Sequence, residues 1–338
     1  MSTIKIKRMN HFEQLFHQFS TVKVAIVGDV MLDTYWQGSV NRISPEAPVP
    51  VVSLNRKEYR IGGAGNVVLN MNALNAQTAI FSVMGQDDDA NILEQLFNDN
   101  QIVTKYLCRS QDRITTNKVR VIGHNQQMLR IDSEVTTPLT EAEETQLLQN
   151  FEKYVQDQSP SLVVLEDYNK GVLTEKVIRS VITIAKENNI VVTVDPKRDN
   201  FFTYKNVDIF KPNLKEVKDA LHLSLKDIDK NTLENIHESL HQQLQHHISL
   251  ITLSEKGLFY HKNQKESAII PTHVRNIADV SGAGDTVIAV ASLVYTVTKD
   301  MHLAAAIANI AGGLVCEELG TVAINQKRLL QECTLLLK

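Results

Sequence analysis

The sequence predicts an α/β protein built on a mostly parallel sheet with helices packed on both faces. Three observations lead there. Residues 22–29 read as a buried strand ending in Gly28-Asp29, and α/β proteins place ligands at such strand ends. Strand-like apolar runs then alternate with helical patterns through most of the chain. The 338 residues are 43% hydrophobic and 22% charged, which predicts a sizeable core and excludes wholesale disorder.

Taken in order, residues 62–74 follow the first strand as a Gly-led helix, with Val67, Val68, Met71 and Leu74 as its apolar positions. Further strands are expected at 78–83, 162–165, 190–194, 207–210 and 248–253, and helices near 90–97, 141–154, 174–186 and 231–245. After Val287 the chain reads as nearly all helical, through 303–316 and 326–337. Two segments break the alternation. Residues 48–54 form a short β-like run after 35–38, and 116–122 with 127–132 alternate like a hairpin around Gly123-His124-Asn125. Together they predict a small β-sheet lid over the strand ends. Its segments, about 34–60 and 115–134, are inserted in a single domain spanning 1–338.

A net charge of −4, with basic residues scattered apart from Lys5 to Arg8, offers no footing for nucleic acid or an anionic membrane. Three distant cysteines, Cys108, Cys316 and Cys333, argue against a disulfide framework and fit a reducing cytoplasm. No leader-like or membrane-length apolar run is visible, so a soluble cytoplasmic protein is expected.

The most informative stretch is 279–286, with Gly282-Ala283-Gly284-Asp285 opening a mostly apolar helix. Glycines let the backbone approach a ligand closely, and the first amides of a helix lack intrahelical partners. A carboxylate among such donors suits attack of a hydroxyl on a phosphoryl group. A plain helix cap with glycine spacers is the competing reading. Asn213 and Glu216 have capping-box spacing, and they could also hold water and Mg²⁺ near phosphates. Gly62-Gly63 with Asn66 reads either as a tight helix start or as a set of contacts to sugar hydroxyls.

Neither glycine cluster completes Gly-x-Gly-x-x-Gly, since Val68 and Val287 stand where the third glycine belongs, and no Gly-Lys dipeptide exists for a Walker A loop. His237-Glu238-Ser239-Leu240-His241 matches the zincin pattern. Its polar surroundings, through His246 and His247, predict a chance occurrence on a solvated face. Among the basic residues, Lys170 and Lys197 are best placed at strand ends to meet an anionic substrate.

The order and spacing of Gly62-Gly63 with Asn66, Asn213-x-x-Glu216 and Gly282-Ala283-Gly284-Asp285 resemble the ribokinase-like (PfkB) sugar kinases, from Val22 to about Leu330. Residues 28–33, the long run 42–52, Asn125-Gln126-Gln127 and Asp195-Pro196-Lys197 resemble the heptose 7-phosphate kinase branch. The resemblance implies a ribokinase-like three-layer α/β/α sandwich whose β lid often serves in dimerisation. It implies ATP-dependent phosphorylation of the anomeric hydroxyl of heptose 7-phosphate, giving the 1,7-bisphosphate for lipopolysaccharide core precursors. Carried over by motif, Asp285 is the base, and Gly282, Ala283 and Gly284 form the anion hole. Asn213, Leu214, Lys215 and Glu216 flank the nucleotide phosphates, with Glu216 holding Mg²⁺ through water. Ser254 to Gly257 and Asn309 lie near the nucleotide, and Asp33, Gly62, Gly63 and Asn66 face the sugar.

Two departures are Glu166, where a small residue is usual, and Arg198, where Gly is common. No His-x-Gly-His segment is present, so the kinase step alone is expected, without a nucleotidyltransferase domain. The alternatives are another sugar kinase of ribokinase or fructokinase type, a non-catalytic sugar-phosphate sensor and, more remotely, a zinc peptidase. At a helix N-terminus the Asp285 anion should be stabilised, which makes it a weak base. The reading requires its carboxylate to lie open towards the sugar, with the glycine amides unoccupied.

Overall fold

The structure, a computed structural model, describes residues 11–124, 126–224, 228–262 and 266–337. Asn125 and the basic residues Lys5 to Arg8 lie outside them.

After α1 (His11–Gln18), the chain runs through β1 (Lys23–Gly28) into two long strands, β2 (Val30–Ile43) and β3 (Pro50–Gly63). There follow α2 (Ala64–Ala73), β4 (Gln77–Gly85), α3 (Asp88–Asp99), β5 (Leu107–Ser110), β6 (Asn117–Gly123) and β7 (Gln126–Ser133). The middle of the chain holds α4 (Glu141–Gln158), β8 (Leu162–Glu166), α5 (Glu175–Glu187), β9 (Val191–Asp195), β10 (Ile209–Phe210) and α6 (Leu214–Ala220). It closes with α7 (Lys230–Leu244), β11 (Ile248–Thr252), β12 (Leu258–Lys262), β13 (Glu266–Ile270), α8 (Ala283–Thr298), α9 (Met301–Val315) and α10 (Gln326–Leu336).

The main sheet has nine strands in the order β13-β12-β11-β10-β9-β8-β1-β4-β5. Its pairings are parallel from β11 to β5, and the β11–β12 and β12–β13 pairs are antiparallel. Period-two alternation divides its side chains between two cores. Val24 and Ile26 of β1 join the core formed with α2, α8 and α9, whereas Ala25 and Val27 face α4, α5 and α7. Central strands buried on both faces read as continuous apolar runs, which is why β1, β8 and β9 were legible.

A second sheet, in the order β3-β2-β6-β7, forms the lid. β2 and β3 are fourteen residues each, far longer than the run at 48–54, with register shifts after Gln37 and Val40. Their outer halves are half-buried to exposed, so polar residues such as Arg56 and Lys57 hide the strand pattern. Gly62 and Gly63 close β3 instead of leading the helix, as expected from sequence. Gly63 has φ 60° and lies so close to Asp29 that an added Cβ would meet that carbonyl oxygen at 2.3 Å. Helix α2 begins only at Ala64, whose amide donates to the same oxygen at 2.9 Å.

Candidate active site

The C-terminal ends of β8 and β9 deliver Glu166 and Asp195 to one place, and the opening of α8 brings Asp285 to meet them there. Gly282 takes φ 78°, a left-handed conformation, with Asn66 Nδ2 only 2.6 Å from where a Cβ would be. The turn is braced by Asp279, whose carboxylate accepts from Ser281 N at 2.9 Å and Gly320 N at 2.9 Å. Among the described residues, the amides of Gly282, Gly284 and Asp285 donate to no protein group. The Ala283 amide donates to Val280 O at 3.3 Å, which leaves the glycine amides as the better anion donors.

Asp285 itself is 2% exposed. Its Oδ1 accepts from the Tyr168 hydroxyl at 2.6 Å and its Oδ2 from Asn66 Nδ2 at 2.8 Å. The expectation of an open carboxylate is therefore corrected: the side chain turns onto two protein donors, one on each oxygen. Each oxygen keeps a second lone pair for a substrate hydroxyl, while the glycine amides are unoccupied among the described residues, as the reading requires. The expectation of a depressed basicity is corrected as well. Burial lifts the carboxyl from 3.8 to about 6, helped by the charge of Asp195 and opposed by the two hydrogen bonds and Lys211. Removing water from the first turn outweighs the favourable helix dipole.

Around it stand further charged groups, and Lys197, expected to meet an anionic substrate, is paired within the protein. Lys211, 2% exposed, places Nζ 2.7 Å from Asp195 Oδ2. Lys197 Nζ lies 3.3 Å from Asp195 Oδ1 and 3.0 Å from Glu216 Oε1. Glu166 is fully buried, and among the described residues neither of its carboxylate oxygens has a hydrogen-bond partner. Burial and the neighbouring Asp195 and Asp285 push its carboxyl well above the ordinary range. Glu166, Asp195 and Asp285 each bring one oxygen within 4.8 Å of the others, a grouping that could accept a cation. A signal for Lys211 did exist: a cation directly after the buried run 207–210, at a strand end, is out of place unless it is paired.

The loop after β8 is held by Asp29, which accepts from the amides of Tyr168 at 2.8 Å, Lys170 at 3.1 Å and Val172 at 3.1 Å. Asn169 and Gly171 take positive φ, so the chain can wrap around that carboxylate. Burial, then the charge of Asp167, raises the Asp29 carboxyl to about 6 despite those donors.

A cavity of about 580 Å³ opens beside the α8 turn, a size suited to a nucleotide. Ser254, Gly257, Ala283, Gly284 and Asn309 line it, so residues expected near the nucleotide and two of the three expected in the anion hole border the same cavity. Asn309 Nδ2 donates to Pro271 O at 2.8 Å, which anchors that side chain to the cavity rim. Asn213 and Glu216 form a complete capping box on α6: Asn213 N donates to Glu216 Oε2 at 2.7 Å, and Glu216 N to Asn213 Oδ1 at 2.8 Å. Asn213 bridges to Thr252, which lines the cavity. Leu214 packs against the second core and Lys215 is exposed.

On the lid side, Asp33 Oδ1 accepts from Arg120 Nη1 at 2.6 Å, and an added Cβ on Gly62 would sit 2.5 Å from Asp33 Oδ2. Lys170 Nζ donates to Glu134 at 2.8 Å, beside Lys118. Lys170 thus belongs to the lid edge and Lys197 to the α6 end. Arg198 is exposed.

The histidine pattern is not a solvated face throughout, since His237 and His246 are buried. His237 Nδ1 lies 2.8 Å and His246 Nε2 2.7 Å from Ser249 Oγ, and His241 Nδ1 lies 2.7 Å from His246 O. Burial, with the neighbouring imidazoles, pushes His237 and His246 down to about 3. They are neutral packing groups.

A layered α/β sandwich with a β lid, and a turn with free glycine amides lining a nucleotide-sized cavity one residue from a buried aspartate, is the arrangement of a phosphoryl-transfer protein. The model of the pfkB family carbohydrate kinases matches residues 22–328, and the chain belongs to that family. It is 38% identical over 300 residues to the Bifunctional protein HldE of Aliarcobacter butzleri, covering 88% of this chain and 61% of the relative. It is 38% identical over 331 residues to that of Methylobacillus flagellatus, covering 96% and 66%. The chain therefore spans less than two thirds of the length of these curated relatives. Among solved structures it is similar to phosphofructokinase-2 from Escherichia coli in complex with potassium, with TM-score 0.76, 15% identity and coverage of 93% and 99%. Ribokinase from Arabidopsis thaliana, complexed with ribose and ATP, gives TM-score 0.71, 16% identity and coverage of 92% and 99%. The ribokinase-like fold expected from sequence is the fold observed.

Proposed function

We propose that this protein transfers the terminal phosphoryl group of ATP to the anomeric hydroxyl of D-glycero-D-manno-heptose 7-phosphate. The observation that carries the reading is Asp285: a buried carboxylate of raised basicity, one residue from a glycine amide that lines the nucleotide-sized cavity. The heptose assignment draws support from the long 42–52 run and from 38% identity to relatives bearing the HldE name.

In the proposed step the anomeric oxygen bonds to the terminal phosphorus and the bond to the β-phosphate bridging oxygen breaks. ADP departs, and the hydroxyl proton passes to Asp285. The free amides of Gly282 and Gly284 face the charge on the transferring group, where preorganised donors act most strongly. A carboxyl near 6 is ionised at neutral pH yet basic enough to take a proton late in the transfer. Asn66 and Asp33 meet the sugar, and Lys170 at the lid edge holds its phosphate.

Both Glu216 oxygens already accept from protein groups and keep spare lone pairs, which fits an Mg²⁺ held through water. Bound there, Mg²⁺ would offset phosphate charge.

The lid presents Ile43, Val49, Leu54, Met128, Leu129 and Ile131 to solvent, which supports a homodimer through that sheet. No helix among the described residues is long and apolar enough to cross a membrane, and a cytoplasmic setting goes with the proposed substrates.

The test is ATP turnover over a panel of sugars and sugar phosphates. Heptose 7-phosphate should be the preferred acceptor, and Asp285→Asn should lower kcat by about two or more orders of magnitude with nucleotide binding retained. Preference for ribose or fructose 6-phosphate would reassign the substrate. Wild-type turnover in Asp285→Asn would remove the base assignment.

A further inference from the structure

We propose that Tyr168 is the positioning residue of the phosphoryl transfer, its hydroxyl fixing the Asp285 carboxylate for the incoming sugar oxygen. The inference rests on the assignment of Asp285 as base.

Two donors hold that carboxylate from different elements, the Tyr168 hydroxyl on Oδ1 at 2.6 Å and Asn66 on Oδ2 at 2.8 Å. With one donor on each oxygen, the carboxylate plane cannot rotate, and each oxygen keeps a second lone pair for a substrate hydroxyl. The Tyr168 phenol stays protonated, because burial and the charges of Asp285, Glu166 and Asp195 push its ionisation well above the ordinary value. It therefore acts only as a donor to Asp285.

The phenol is also firmly placed. Its own amide is bound by Asp29, whose carboxylate gathers three amides of the same loop. Lys197 Nζ sits 5.3 Å from the centre of its ring. A phenylalanine would keep the ring and lose only the hydroxyl, whose hydrogen bond goes to the Asp285 carboxylate.

The groups facing Asp285 come from several sides: Tyr168 and Glu166 from β8 and its loop, Asp195 from the end of β9, Lys211 after β10, and Asn66 from α2. Of these, the hydrogen bond from Tyr168 does most to lower the basicity that burial raises.

The experiment is Tyr168→Phe in the full chain, with kcat/KM measured from pH 5 to 9. A carboxyl-labelled NMR titration of Asp285 in the sugar-free protein accompanies it, and Asp285→Asn serves as the reference. The acid limb of the profile and the NMR midpoint should both move up by about one pH unit, since a hydrogen bond to a charged group has that worth. On the alkaline plateau kcat should fall roughly tenfold from misalignment, with KM for ATP unchanged. A limb and midpoint that stay in place, with turnover in Asp285→Asn abolished, overturn the role of Tyr168 while leaving the base intact. A faster Tyr168→Phe enzyme with lower sugar KM also overturns it, because the phenol would then be an obstacle that the sugar displaces. Full turnover in Asp285→Asn removes the underlying assignment and this proposal together.

Discussion

Replacing Asp285 by Asn should make the protein inactive and more stable at once. Desolvation raises the Asp285 carboxyl from 3.8 to about 6 in the folded chain, against the hydrogen bonds from Tyr168 and Asn66. A group whose folded pKa lies above its unfolded value binds its proton more tightly when folded. Stability is therefore lost as pH rises through the interval from 3.8 to about 6, and stays lost above it. At 2% exposure solvent screens little of this. Burying this carboxyl thus costs about 2 kcal/mol at pH 5, where the folded group is mostly protonated, and about 3 kcal/mol at pH 8. Asparagine removes that cost and keeps both contacts, its carbonyl accepting from Asn66 and its amide donating to the Tyr168 oxygen. Urea denaturation of both proteins from pH 5 to 8 should show Asp285→Asn gaining on the wild type along that curve. Asp29, which titrates in the same window, cancels in the difference. The reasoning fails if the variant is less stable at pH 8, or if its advantage is the same at both ends of the range.

Lys211→Met should destabilise by about 3 kcal/mol, the low end for breaking a buried pair, because Lys197 still faces Asp195; equal urea midpoints would contradict it. Asn70 links α2 to the 320s loop, accepting from Ile324 N at 3.0 Å and donating to Asn66 O at 2.8 Å. Asn70→Leu leaves the Ile324 amide buried without a partner and should cost about 1–3 kcal/mol by thermal or urea unfolding. Gly282→Ala strains a left-handed residue and presses on Asn66, so kcat should fall at least tenfold with stability down by about 1–2 kcal/mol. Lys170→Ala should raise KM for the sugar phosphate about tenfold or more and leave KM for ATP alone, as expected for losing a charged contact; an unchanged sugar KM would detach Lys170 from the phosphate.

Local physics makes part of this protein legible in its sequence. Strands β1, β8 and β9 are buried on both faces and announce themselves as apolar runs, and the Asn213–Glu216 cap involves residues three apart. Gly282 and Asp285 likewise lie within one turn, so their pairing of free amides with a carboxylate is written in the order of the residues. Long-range partners are another matter. Asn66, Tyr168 and Asp285 are far apart in the chain, and the sign of the shift at Asp285 follows from burial and distant neighbours, not from its place on a helix. The same holds for Lys211 against Asp195, for the unpaired Glu166, and for lid strands whose exposed halves carry no apolar pattern. Periodicity, caps and glycine turns depend on neighbours a few bonds away, so the sequence by itself determined the layered architecture and the amide-lined turn. Desolvation and charge pairing depend on which groups meet across space, so only the tertiary structure decided how basic the carboxylate is and what holds it in place.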